Sequence, residues 1–201
     1  MNSKMGKIYN GIVIFGEMGS GKDELAEQIS KLRNSVEKYN IGRLCRDIMR
    51  VTKVNSKWQG KERQLGQEIA NKLREIDINI MNDYIYACMS KKDNSIVTEC
   101  TSTVKNSQLS IVVGGRTFCD LEYWKEKGYL IIGISTNDKT RVNRLVCRDG
   151  ESAKNSVIFQ HNTETEARKI VDKLCDETII NDGTLDDLRV EAERILNKYN
   201  F

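Results

Sequence analysis

The chain has 201 residues, 39% hydrophobic and 30% charged, a composition that suits one sizeable soluble globular domain. Its net charge of +3 is too small to argue for a nucleic-acid partner, and no apolar run approaches the ~18–20 residues that cross a bilayer. The six cysteines (Cys45, Cys88, Cys100, Cys119, Cys147, Cys175) are scattered, with no C-x-x-C pair and one histidine, His161, so local pairs cannot build a tetrahedral zinc site; with no apolar signal segment at the N-terminus they read as reduced thiols of a cytoplasmic protein.

In chain order, the first apolar run, 8–15, has strand character and leads into Gly16-Glu17-Met18-Gly19-Ser20-Gly21-Lys22. Leu25, Ile29 and Leu32 then share one helical face. Strand, glycine loop and helix therefore follow one another in the order of a phosphate cradle. Glycines let the backbone turn tightly so that successive N–H groups converge on phosphate oxygens, and the helix start adds its positive end. Lys22 supplies a full charge for the β- and γ-phosphates of ATP. The residue after the lysine, ordinarily Ser or Thr for Mg²⁺, is Asp23. It either meets the Mg²⁺ of the nucleotide, directly or through water, or stabilises the first helical turn.

Downstream, 42–61 is polar and reads as irregular. Leu65, Ile69, Leu73, Ile76 and Ile80 continue one face along a longer helix. Further apolar runs of strand length lie at 95–99, 110–113, 129–135 and 177–181. Leu121 and Trp124 fit a short helix that stops at Gly128. The segment 141–165 reads as a second irregular, polar stretch. Thr184 with Asp187 resembles a capping box opening a last helix through Leu188, Ile195 and Leu196. Strands alternating with helices imply a parallel sheet covered on both faces. With the cradle, this predicts an α/β, three-layer P-loop NTPase fold of about five parallel strands flanked by helices, in a single domain 1–201.

A kinase needs cations for its acceptor and more on a lid that closes over the transferred group, and arginine suits both by its bidentate fork. Arginines stand at Arg43 and Arg46 after the first helix, at Arg74, at Arg116 after the run 110–113, and at Arg141, Arg144 and Arg148 in Arg-Val-Asn-Arg-Leu-Val-Cys-Arg-Asp-Gly. Together with the Gly-Ser-Gly-Lys-Asp loop, the Val113-Gly114-Gly115-Arg116 strand end and the terminal Ile-Ile-Asn-Asp-Gly-Thr-Leu-Asp-Asp-Leu, they run over nearly the whole chain. In this the chain resembles the P-loop nucleoside monophosphate kinases, in particular the phage-type deoxynucleoside monophosphate kinases and the related dephospho-CoA kinases.

The resemblance implies ATP-dependent phosphorylation of a small-molecule nucleotide, with ATP and Mg²⁺ as cofactors. It implies an acceptor-binding insertion over about 42–92 and a lid over about 141–165. Arg46 and Arg116 then hold the acceptor phosphate with Arg74 beside them, and Arg144 and Arg148 are lid arginines. Members of this superfamily carry an aspartate two residues before the strand-end arginine, where this chain has Gly114. Glu99 and Asp23 are the carboxylates placed to take over its work on Mg²⁺. A hydroxyl acceptor, such as dephospho-CoA or a modified nucleotide in DNA, or a nucleotide-binding regulatory module, are the alternatives. Other signals carry less. His161 reads as solvated, Trp58 as a loop anchor or a base platform, and apolar helix faces serve a core or a homodimer alike.

Overall fold

The computed structural model describes residues 8–58, 61–93, 108–150 and 162–201. The chain divides into two compact units, one of Met1–Lys38 with Gln108–Phe201 and one of Tyr39–Ser107.

The first unit is built on the parallel sheet. Its strands are β1 (Ile12–Phe15), β2 (Val36–Asn40), β3 (Leu109–Gly115), β4 (Leu130–Ser135) and β5 (Glu177–Ile180), in the spatial order β2-β3-β1-β4-β5. Helices α1 (Lys22–Leu32), α5 (Phe118–Glu126), α6 (Asp138–Asp149), α7 (Asn162–Lys173) and α8 (Leu185–Tyr199) belong to the same unit. The central strands are apolar on both faces, as a strand covered twice must be. Ile12, Ile14, Ile111, Val113, Leu130, Ile132 and Ile134 form one core with α1 and α8. The alternate positions point the other way. A Cβ on Gly133 would meet Val171 of α7 and Cys175, which marks that face. This is the predicted α/β, three-layer arrangement, with the cradle at the carboxyl end of the central strand β1. No helix among the described residues is long and apolar enough to cross a membrane.

Local chemistry accounts for the boundaries. Thr117 caps α5 and Thr184 caps α8, each in a reciprocal box with the aspartate three residues on. Asn137 caps α6 by accepting from the Thr140 N–H at 2.8 Å. Of the segment 141–165, expected to be irregular, 141–149 lies in α6 and 162–165 in α7, while 151–161 lies outside the described residues; in α6 the apolar positions are diluted by charge, which hid the helical period. The run 95–99, read as a strand, lies outside the described residues. The polar Val36–Asn40, by contrast, forms a strand that its composition does not announce.

After Tyr39 and Asn40, which end β2, the regular elements described in the second unit are helical: α2 (Arg43–Thr52), a short 3₁₀ turn at Val54–Lys57, α3 (Glu62–Ile76) and α4 (Ile80–Asp93). The expected irregular stretch 42–61 therefore holds a helix, since Leu44, Cys45, Ile48 and Met49 repeat at helical spacing between arginines. The single long helix expected through Ile80 is broken at Asp77, which turns extended and accepts from the Asn79 N–H at 2.7 Å, leaving Ile76 exposed. Cys45 and Met81 meet in the small core of this unit, and the Tyr84 hydroxyl donates to Asp47 at 3.0 Å.

Two glycines make opposite predictions. Gly115 lies under the Phe15 ring, where a Cβ would come within 2.6 Å of ring carbons. Gly115→Ala should lower unfolding stability in urea by about 1–3 kcal/mol. Gly66 is inside α3 with only ordinary contact near its Cβ position, 3.8 Å from Met49. Gly66→Ala should raise stability by about 0.5–1 kcal/mol in the same titration, and a loss there would contradict the packing described.

Candidate active site

The cradle is a loop wrapped around its own lysine. Lys22, the first residue of α1 and 6% exposed, donates from Nζ to the carbonyls of Gly16 and Glu17, both at 2.6 Å. Gly21 precedes the helix in the left-handed region, φ 102°, and a Cβ on it would fall 2.2 Å from the Asn181 side-chain nitrogen. It offers no side chain to cap α1, so the first-turn N–H groups have no side-chain acceptor there. The buried Ser20 hydroxyl likewise makes no hydrogen bond. Uncapped amides, an orphaned hydroxyl and a lysine at one helix start are the donor set that phosphate oxygens fit.

Burial, opposed by the nearby carboxylates Glu164, Asp23 and Glu17 and reinforced by Arg116, pushes the Lys22 amine down to about 7. Asn181, just beyond β5, donates to the Ser20 carbonyl at 2.8 Å and pins the loop. Asp182 accepts from the Thr136 hydroxyl at 2.7 Å and the Asn137 N–H at 2.8 Å, fixing the turn after β4. The terminal Asn-Asp motif is therefore a brace for the cradle.

Arg116 owes its position to an irregularity in β3. Val113 pairs with Ile14 but Gly115 with Phe15, so Gly114 is an extra residue, and it takes φ 101°. An aspartate there would be strained, which is why the carboxylate implied by the resemblance cannot simply be restored. Beyond the bulge, Asp120 accepts from the N–H groups of Arg116 and Thr117 at 3.1 Å each. The Arg116 guanidinium donates from Nη1 to Glu164 Oε1 at 2.7 Å.

Glu164, in the first turn of α7 and 1% exposed, was not singled out in the sequence. Its other oxygen accepts from the Met18 N–H at 2.7 Å. Arg141, also buried, ion-pairs with Glu17 at 2.9 Å and with Asp138 at 2.8 Å, and its Nη1 stands 3.9 Å from Glu164. Arg168 binds the same Glu17 and Asp138 from α7. Burial opposes ionisation of Asp138, but the hydrogen bond from Arg141 and the charge of Arg168 hold its carboxyl below the usual range. A cleft of about 230 Å³ opens beside this cluster, lined by Glu17, Thr136, Asn137, Asp138, Arg168 and Asp172 among others. The signal for these residues was helical phase: Glu164 shares a face with Ala167 and Val171, and Arg141 with Leu145. A charge on an apolar stripe marks a paired, buried charge.

The remaining candidates divide between the units. Arg144 lies in α6 with Nη1 buried and close enough to bias Asp182, and Arg148 is exposed in the last turn. Asp23 is exposed at the start of α1, and Glu99 lies outside the described residues. Among the described residues no group of three or more His, Cys, Asp or Glu side chains is arranged to hold a metal. In the helical unit, burial raises the Cys45 thiol against the separate pulls of Arg74 and Arg46.

No protein-family model matches the chain, and no curated protein sequence matches it. Solved structures do. TT1252 from Thermus thermophilus has a TM-score of 0.57 at 16% identity, over 94% of this chain and 97% of that one. A shikimate kinase from Acinetobacter baumannii, in complex with shikimate, gives 0.53 at 16% identity over 96% and 93%. A dephospho-CoA kinase from Campylobacter jejuni gives 0.52 at 16% identity over 94% and 96%. At such identity the likeness is one of fold, the three-layer α/β fold of P-loop kinases; the chemistry rests on this chain's own residues.

The depressed Lys22 amine has a consequence for ligand binding. A phosphate beside it favours the ammonium, so binding ATP at about pH 8 should take up to about one proton, and affinity should fall as pH rises above 7. Calorimetry in buffers of different ionisation enthalpy measures the uptake. A value of zero at that pH would mean that the buried lysine already carries its proton.

Proposed function

We propose that the protein is an ATP-dependent kinase that transfers the γ-phosphoryl group to a (deoxy)nucleoside monophosphate. The observation that carries this reading is the buried Lys22 at an uncapped helix start, with Arg116 and Arg141 within one charge cluster around it. Lys22 and the first-turn amides of α1 bind the β- and γ-phosphates. Arg116 is aimed by the bulge at Gly114 and carries acceptor-side charge, and Arg46 and Arg74 offer further cations in the helical unit. Arg144 and Arg148 are candidates to steady the phosphates during transfer. Asp23, exposed at the start of α1, would help hold Mg²⁺, which would supply charge neutralisation of the phosphates. A phosphate acceptor needs no strong general base, so positioning and charge neutralisation supply the rate.

A hydroxyl acceptor is the second reading, favoured by the similar folds named for shikimate and dephospho-CoA. Against it, Glu164 is committed to Arg116 and the Met18 N–H rather than free to take a proton.

A coupled ADP-release assay with Mg-ATP against ribo- and deoxynucleoside monophosphates, dephospho-CoA and shikimate decides between them. Turnover with monophosphates is expected; turnover with a hydroxyl acceptor alone moves the assignment to the second reading, and ATP binding without any turnover removes the enzyme. Lys22→Ala should lower kcat/KM by about a hundredfold or more. Normal turnover in that variant would overturn the cradle.

A further inference from the structure

The geometry points to Glu164 as a positioning residue that sets the glycine loop and Arg116 in one frame, an inference that rests on the phosphoryl-transfer reading above. A carboxylate this deeply enclosed is costly unless both oxygens are satisfied by charge or strong donors. Here each oxygen has a different duty: Oε2 accepts from the Met18 N–H in the loop, and Oε1 from Arg116 beyond β3. The side chain is anchored, because Ala167, Ile170 and Val171 bury the same helix in the core of the unit. Glu166, two residues on, accepts from the Phe118 N–H at 3.1 Å, so α7 grips the backbone after Arg116 as well as its guanidinium.

The charge matters as much as the shape. Arg116 and Lys22 repel one another in a dry site, and Glu164 lies between these effects, favouring both cations. With Glu164 in place the guanidinium is held in one orientation before any phosphate arrives. Without its charge, Arg116 is free to swing into solvent and must be ordered again in each turnover, an entropic cost that falls on the chemical step.

Glu164→Gln separates this role from a purely structural one. The amide oxygen still accepts from the Met18 N–H, while the ion pair with Arg116 is lost. Phenylglyoxal labelling of Arg116, followed by peptide mass spectrometry, should then accelerate several-fold, with Mg-ATP affinity by calorimetry within about threefold of wild type. With whichever monophosphate turns over, kcat per folded molecule should fall about tenfold to a hundredfold while the KM for ATP stays within about threefold. Glu164→Ala loses the loop contact too and should also weaken Mg-ATP binding. Unchanged Arg116 labelling in Glu164→Gln overturns the proposal, as does kcat unchanged once corrected for the folded fraction. If the wild type turns over no acceptor, the functional reading fails separately, and labelling with ATP affinity still decides whether Glu164 sets the frame.

Discussion

Burying the ammonium of Lys22 sets the terms for everything around it. A lysine in a dry interior gives up its hydration, and two loop carbonyls at 2.6 Å replace only part of it. The rest comes from carboxylates at the edge of the loop, and these in turn need cations of their own. The chain meets that need with Arg116 and Arg141 from the ends of two elements and Arg168 from α7. A phosphate cradle is thus the centre of a wider ionic net, to which α1 contributes Lys22, α6 Asp138 and Arg141, and α7 Glu164 and Arg168.

The bulge at the end of β3 shows how the backbone serves that net. A parallel strand in regular register would carry residue 114 with an ordinary side chain. The extra residue instead sits at Gly114, in a conformation that suits glycine, and Gly115 leaves room for the Phe15 ring. The result is to turn Arg116 toward α7, where Glu164 waits. Losing a carboxylate at residue 114 and gaining one from α7 are two sides of one arrangement: the anion facing Arg116 comes from a helix rather than from its own strand.

The frame of the fold was legible because its signals are local. The apolar runs of β1, β4 and β5, the glycine loop, and the box at Thr184 are read within a few residues of chain. The site was less legible for a physical reason. Lys22 and Arg116 announce themselves by motif, whereas Glu164 and Arg141 do their work through contacts that span long stretches of sequence, Met18 to Glu164 among them. Polar composition misled over 43–52 and 141–149, where alternating charge masked the apolar stripes of α2 and α6. It misled again at Ile76, whose apolar side chain fits the helical phase of Leu65 and Leu73 but lies exposed where Asp77 ends the helix.

The balance of charge around the cradle bears on the chemistry it can support. Lys22, Arg116, Arg141 and Arg168 are matched by Glu17, Asp23, Asp138 and Glu164, so the cluster is close to neutral before a ligand arrives. Neutrality suits a site that must stay folded when empty, since unpaired charge in a low-dielectric interior is destabilising. It also means that a triphosphate finds cations already engaged. To gain them it must loosen carboxylates such as Glu17 and Asp138, which lie on the open side beside the cleft, while the enclosed Glu164 holds its place. A division between carboxylates that yield and one that does not gives the site a fixed edge on the Arg116 side and an adaptable edge on the cleft side. For the phosphoryl transfer proposed above, that asymmetry would hold an acceptor still while the nucleotide enters and leaves.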